Sequence, residues 1–168
     1  TDKLNELKDI KDLGPDPTAE DFDFKKFQKR LADRARQPKG QSWRAGKKGR
    51  IKTVLMDQSV FAGIGNIYSD EILWLAGIHP MKPVSALTQE EMKTIFTSTK
   101  KILKKAIEAR GTSDSDYRDP FGRKGGYQEM LYVYGLEGEK CQKKDGGIIA
   151  RLKIGGRSAH FCPKHQKL

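Results

Sequence analysis

Apolar residues along this chain fall first into helical spacing and later into strand alternation. Phe24, Phe27 and Leu31 recur at helical intervals, with acidic residues early in the segment and Arg30, Arg34 and Arg36 late in it. This pattern predicts one amphipathic helix over 18–36. Ile51, Val54 and Leu55 restart the pattern in a short helix reaching about Gln58. The tight turn Ala62-Gly63-Ile64-Gly65-Asn66 follows, with Asn66 expected to cap a helix from Ile67 to Ala76 and Gly77 to end it. The strongest helical pattern opens on Thr88-Gln89-Glu90-Glu91, a capping box. It continues through Met92, Ile95, Phe96, Thr99, Ile102, Leu103, Ala106 and Ile107 to a stop at Gly111. Past a Gly, Ser and Asp-rich stretch at 111–126 the character turns to β. A brief pairing is expected at Met130–Tyr134, and segments 148–154 and 157–161 flank Gly155-Gly156, a two-residue hairpin signal.

The breaks in this pattern suggest three parts: a charged, proline-bearing linker over 1–17, a helical unit over 18–126, and a β-hairpin unit over 127–168. Within the helical unit, 37–50 carries three glycines and five basic residues and reads as a basic loop that a phosphate backbone could order. The 168 residues include 33 Lys and Arg against 22 Asp and Glu, a formal net charge of +11 that favours a polyanionic partner, nucleic acid first. No segment approaches the roughly 20 apolar residues needed to cross a bilayer, and the first residues lack the apolar core of a signal peptide. A cytoplasmic, monomeric protein without membrane contact is the expectation. The chain opens on Thr1 rather than Met, which hints at processing or truncation. Two cysteines exclude a disulfide scaffold, and their setting in Cys141-x-x-Lys144 and Cys162-x-x-His165 suggests a metal site.

Charge alone is a weak signal. Lys100, Lys101, Lys104 and Lys105 read as a solvated helix face. Lys52 and the basic loop differ, because they adjoin the glycine turn, where free amide groups at a helix start and nearby cations make a phosphate site. Each candidate also has a plain structural reading: Asn66 as a helix cap, Lys52 as a solvated lysine, Arg157 as an exposed hairpin residue. His79, in a turn before Pro80, reads as structural, whereas Asp57 and Glu71 taken alone are plausible general acids.

Ile51-Lys52-x-x-Leu55-Met56-Asp57-Gln58, then Ala62-Gly63-Ile64-Gly65-Asn66-Ile67-Tyr68-x-Asp70-Glu71-Ile72-Leu73, then Ala76-Gly77-Ile78-His79-Pro80, closely resemble the helix-two-turns-helix motif of formamidopyrimidine-DNA glycosylases. Leu13-Gly14-Pro15-Asp16-Pro17, Tyr132-x-Tyr134-Gly135-x-x-Gly138 and Gly155-Gly156-Arg157-Ser158 fit the same family in the same order. The resemblance implies a mainly α fold with a small β-hairpin finger: a helix-two-turns-helix bundle followed by a zinc-ribbon-like C-terminal hairpin. It implies DNA contacts by Lys52, Gly63, Gly65, Asn66, Tyr68 and Arg157. Lys52 and Asn66 would grip phosphates around a damaged nucleotide, Arg157 would enter the minor groove, and the 111–126 loop would cover a flipped base. Asp57 and Glu71 would then orient basic side chains.

The family's zinc site uses two Cys-x-x-Cys pairs, whereas Lys144 and His165 occupy two of those positions here. Cys141, Cys162 and His165 could hold zinc with Asp145 or water as the fourth partner. A finger held by packing alone is the alternative, and a Cys141–Cys162 disulfide a remote one. Family members excise oxidised purines such as 8-oxoguanine and formamidopyrimidines through an N-terminal proline amine, then cut the strand as lyases. No residue of this chain resembles that catalytic apparatus, so the expectation is a chain that binds duplex DNA containing a damaged base but is itself inactive. An endonuclease VIII-like fragment for oxidised pyrimidines, a non-enzymatic nucleic-acid module and a protein-interaction domain are the alternatives.

Overall fold

The computed structural model describes residues 12–36, 49–112 and 125–168. Most of the predicted linker, nearly all of the basic loop and the greater part of the 111–126 loop lie outside the described residues.

Among the described residues, four α-helices build the larger unit: α1 (Phe24–Arg36), α2 (Ile51–Leu55), α3 (Asn66–Ala76) and α4 (Gln89–Glu108). Helix α1 starts later than the pattern predicts because short acidic side chains capture the preceding backbone. Asp16 accepts both the amide and the hydroxyl of Thr18 at 2.7 Å, and the Asp23 carboxylate takes the Lys26 amide at 2.8 Å in the manner of a cap. Helix α2 likewise stops at Leu55 rather than Gln58, where Asp57 binds the amide and hydroxyl of Ser59. Gly77, at φ 71°, ends α3 in the left-handed region as expected. The Thr88 to Glu91 capping box at the start of α4 is fully formed.

The core lies between these helices. Phe27 of α1 stacks on Phe61 at 5.0 Å between ring centres, with Phe22 and Phe96 against the same cluster. Ile72 and Leu73 of α3 face Ile95, Ile102 and Leu103 of α4 in the same buried cluster. Burial of side chains of this size removes about 1.5–3 kcal/mol each of unfavourable hydration.

The smaller unit is a two-stranded antiparallel hairpin, β1 (Ala150–Ile154) and β2 (Arg157–Phe161), with Ile154 opposite Arg157. Gly155 and Gly156 turn it with φ of 61° and 86°, the positive pair that a tight two-residue hairpin requires. The segment 130–134 does not pair as a strand. Tyr127–Met130 forms a 3-10 turn, and the amides of Tyr132, Val133 and Tyr134 are taken by the carboxylate of Glu71 on α3 at 2.8, 2.9 and 3.0 Å. The apolar pattern is that of a strand, but the partner is a side chain. A second small core joins the units: Trp74 of α3 packs with Val133, Cys141, Ile149 and Cys162.

Glu71 is therefore a backbone anchor rather than an orienter of basic side chains, a role that Asp57 does fill by pairing with Arg34 at 2.7 Å. Burial raises the Glu71 pKa, while its three amide partners oppose the shift. Glu71→Gln puts an NH2 group against backbone donors, and a loss of about 3 kcal/mol in urea unfolding is expected. A loss near zero would show that water serves these amides equally well.

Candidate nucleic-acid interface and metal centre

The glycine bend between α2 and α3 is exposed at Gly63 and Gly65, with φ 82° at Gly63. Gln58 braces it from within: its carbonyl oxygen accepts the Gly63 amide at 2.9 Å, while its NH2 donates to the Ile64 carbonyl at 2.9 Å. The described end of the linker runs alongside, with Gly14 and Pro15 bonded to Gln58 and Ala62 through the main chain. A Cβ at Gly14 would lie 2.6 Å from the Val60 carbonyl, so no larger residue fits there. Among the described residues no side chain caps α3, which leaves first-turn amides for an external acceptor.

Asn66 does not take the cap position expected of it. Gly65 adopts the extended cap geometry, at φ −99° and ψ −169°, and Asn66 becomes the first helical residue. Its Oδ1 is buried without a hydrogen-bond partner among the described residues. Lys52 lies behind the bend rather than on its surface. It is 0% exposed, and its Nζ donates to Asp70 Oδ1 at 2.5 Å, Ser69 Oγ at 3.0 Å and the Asn66 carbonyl at 3.2 Å. Burial pushes its pKa down and Asp70 holds it up. Lys52 thus grips the chain that forms the bend.

Tyr68 is half-buried, with its hydroxyl accepting from Thr112 at 3.2 Å and its ring edge-on to Tyr127 at 5.5 Å. It shares with Gly63, Leu103 and Ala106 the wall of a cavity of about 380 Å³. At the cavity rim Arg110 holds φ 61°, a conformation non-glycine residues seldom adopt, just beyond the end of α4.

Arg157 is exposed at the hairpin tip. The tip rests on α2: a Cβ at Gly155 would come within 3.1 Å of Thr53 Cγ2. Farther along β2, the His160 amide donates to Asp70 Oδ2 at 2.9 Å and its ring Nδ1 lies 3.1 Å from the same oxygen. The fold therefore brings the bend and the Arg157 hairpin onto common supports, Asp70 above all. Asp70 and His160 escaped sequence reasoning. The available signal was an Asp-Glu pair opening an otherwise apolar run, Ile72-Leu73-Trp74-Leu75, where acids are rarely buried without partners. His79 is structural, accepting the Met81 amide and packing edge-on to Phe161.

At the other end of the finger, Cys141, Asp145, Cys162 and His165 place their ligand atoms within 4.8 Å of one another. Sγ of Cys141 is 3.8 Å from His165 Nδ1, and Sγ of Cys162 is 3.6 Å from Asp145 Oδ2. Donors around a tetrahedral zinc ion stand about 3.3–3.8 Å apart given metal–ligand bonds of about 2.0–2.3 Å. The two sulfur contacts lie in that range. His165 Nδ1 and Asp145 Oδ2, hydrogen-bonded at 2.6 Å, would have to part by about 1 Å to share an ion, so the donor set suits zinc by its chemistry and needs that adjustment in geometry. His165 Nε2 faces the Trp74 carbonyl at 3.3 Å, which directs Nδ1 to the other three donors. The Gly147 amide holds Asp145 below the usual carboxylate range, and the Trp74 indole donates to Cys141 Sγ at 3.4 Å. These four side chains could bind a metal such as zinc.

The formamidopyrimidine-DNA glycosylase H2TH domain family matches residues 13–117. The formamidopyrimidine-DNA glycosylase of Heliobacterium modesticaldum is 43% identical over 155 residues, 92% of this chain and 51% of that protein. That of Pelotomaculum thermopropionicum is 40% identical over 168 residues, all of this chain and 56% of its own length. The structure of the Lactococcus lactis Fpg in complex with DNA containing an abasic site superposes with a TM-score of 0.81 at 39% identity, covering 100% of this chain and 56% of that one. The Fpg protein of Thermus thermophilus gives a TM-score of 0.81 at 36% identity, covering 98% and 57%. The chain thus spans about half the length of the relatives it matches. With the helical unit, the glycine bend and the cysteine-bearing hairpin all in place, it belongs to the formamidopyrimidine-DNA glycosylase H2TH domain family.

Proposed function

We propose that this chain is the DNA-binding part of a base-excision-repair glycosylase and abasic-site lyase that removes oxidised purines. It grips duplex DNA around a damaged base. The observation that carries this reading is the exposed, uncapped start of α3 set on the same buried support as the Arg157 hairpin. A formal charge of +11 and the DNA bound in the Lactococcus lactis structures agree with it.

In this reading the Gly65 amide and the side chain of Asn66 bind phosphate oxygens at the bend that Gly63 turns, while Arg157 reaches into the minor groove. Tyr68 shapes the wall beside the bend. Lys52 contributes from behind, by fixing the Asn66 carbonyl through its ammonium group. We assign no catalytic group to this chain: the residues named here bind and orient. Zinc is the metal we assign to Cys141, Asp145, Cys162 and His165, which would hold it as a structural cross-link between the two ends of the finger.

Binding to a duplex carrying an abasic-site analogue should weaken linearly in log–log salt titrations, as contacts to phosphate require. Arg157→Ala should weaken it about tenfold and lower the slope by about one. Affinity indifferent to salt would overturn the reading. Loaded with Co²⁺, the purified chain should show the d–d bands of a tetrahedral site and thiolate charge transfer. Asp145→Ala should weaken metal binding about 10–100-fold. An unchanged affinity in that variant would replace Asp145 by water as the fourth donor.

A further inference from the structure

Asp70 on α3 lies four residues after Asn66 and is 1% exposed. Both of its oxygens are engaged, by different parts of the molecule. Oδ1 receives the Lys52 ammonium of α2, which also holds the Asn66 carbonyl, and Oδ2 receives the His160 amide and faces the His160 ring. One carboxylate therefore joins three elements: the helix before the bend, the helix after it, and the strand that carries Arg157.

Resting on the DNA-binding reading above, we propose that Asp70 and His160 are positioning residues, a buried bridge that fixes where the Arg157 tip stands relative to the glycine bend. The hairpin is held to α3 in two ways. Around Trp74 apolar packing is joined by the indole–Cys141 and His165–carbonyl hydrogen bonds, which hold the finger at the end away from its tip. At His160 the contact is a pair of directed hydrogen bonds to one oxygen, which fixes the strand's height and rotation on α3. Arg157 stands three residues away on the same strand, about 10 Å at the usual rise, so a small tilt at His160 displaces the tip. Buried ionic groups add little net stability over apolar ones, and their best-attested return is a specified geometry. Facing a carboxylate oxygen, Nδ1 is the ring nitrogen that carries hydrogen toward Asp70. The ring also packs edge-on to Tyr134 at 4.9 Å, so a phenyl ring fills the same space without the bond.

The test is a double-substitution cycle on the intact chain, read as affinity for a duplex carrying an abasic-site analogue. His160→Phe should weaken binding about three- to tenfold and lower the salt slope by about one, as Arg157→Ala does. In the Arg157→Ala background the same change should be nearly silent. His160→Asn, whose NH2 can take the place of Nδ1–H, should restore most of the affinity. Equal weakening by His160→Phe in both backgrounds, or none in either, overturns the bridge while leaving DNA binding intact. Failure of the unaltered chain to bind DNA overturns the DNA reading and the inference together.

Discussion

Two adjacent acids, Asp70 and Glu71, are buried on one turn of α3, and the rest of the structure is arranged to satisfy them. Asp70 directs its oxygens to Lys52 and His160, while Glu71 collects three consecutive backbone amides from 132–134. Leaving either carboxylate without partners in an apolar interior would cost several kcal/mol, about what a small domain has in total. The chain that leaves the helical unit must therefore return to this turn of α3. The finger is located by electrostatics as much as by packing.

From that constraint the interface follows. Lys52, drawn inward to Asp70, holds the Asn66 carbonyl and so the end of the glycine bend. The bend then presents Gly63 and Gly65 outward, with Gln58 bracing its inner side. The hairpin, seated through His160, sets its tip against Thr53 of α2 with Arg157 exposed. At its far end Trp74 meets the Cys141 and His165 side chains, so the candidate metal centre is built on the same helix. One helix thus organises both the proposed DNA contacts and the metal cluster.

Local signals in the sequence are legible because their causes are local. The Thr88 capping box, the Gly77 stop and the Gly155-Gly156 turn each depend on a few neighbouring residues and appear as expected. What the sequence conceals is the identity of distant partners. Lys52 resembles a surface cation because its counter-charge lies 18 positions along the chain, and 130–134 resembles a strand because nothing local points to Glu71. Asn66 suits a cap by residue type, but the helix begins one residue earlier, with Gly65 in the extended cap position and Asn66 already helical. Asp145, offered by the sequence beside water as the fourth partner although it is one step out of register with the Cys-x-x-Cys pattern, joins the other donors just after a left-handed turn at Lys144, with φ 54°.

The central claim is that the bend and the hairpin tip form a single DNA-binding surface. An amide chemical-shift titration of the isotope-labelled chain with a duplex carrying an abasic-site analogue tests it most directly. Gly63, Gly65, Asn66 and Arg157 should shift together along one binding curve. Shifts confined to the exposed lysines of α4, or a bend and a tip that respond at different DNA concentrations, would contradict the account.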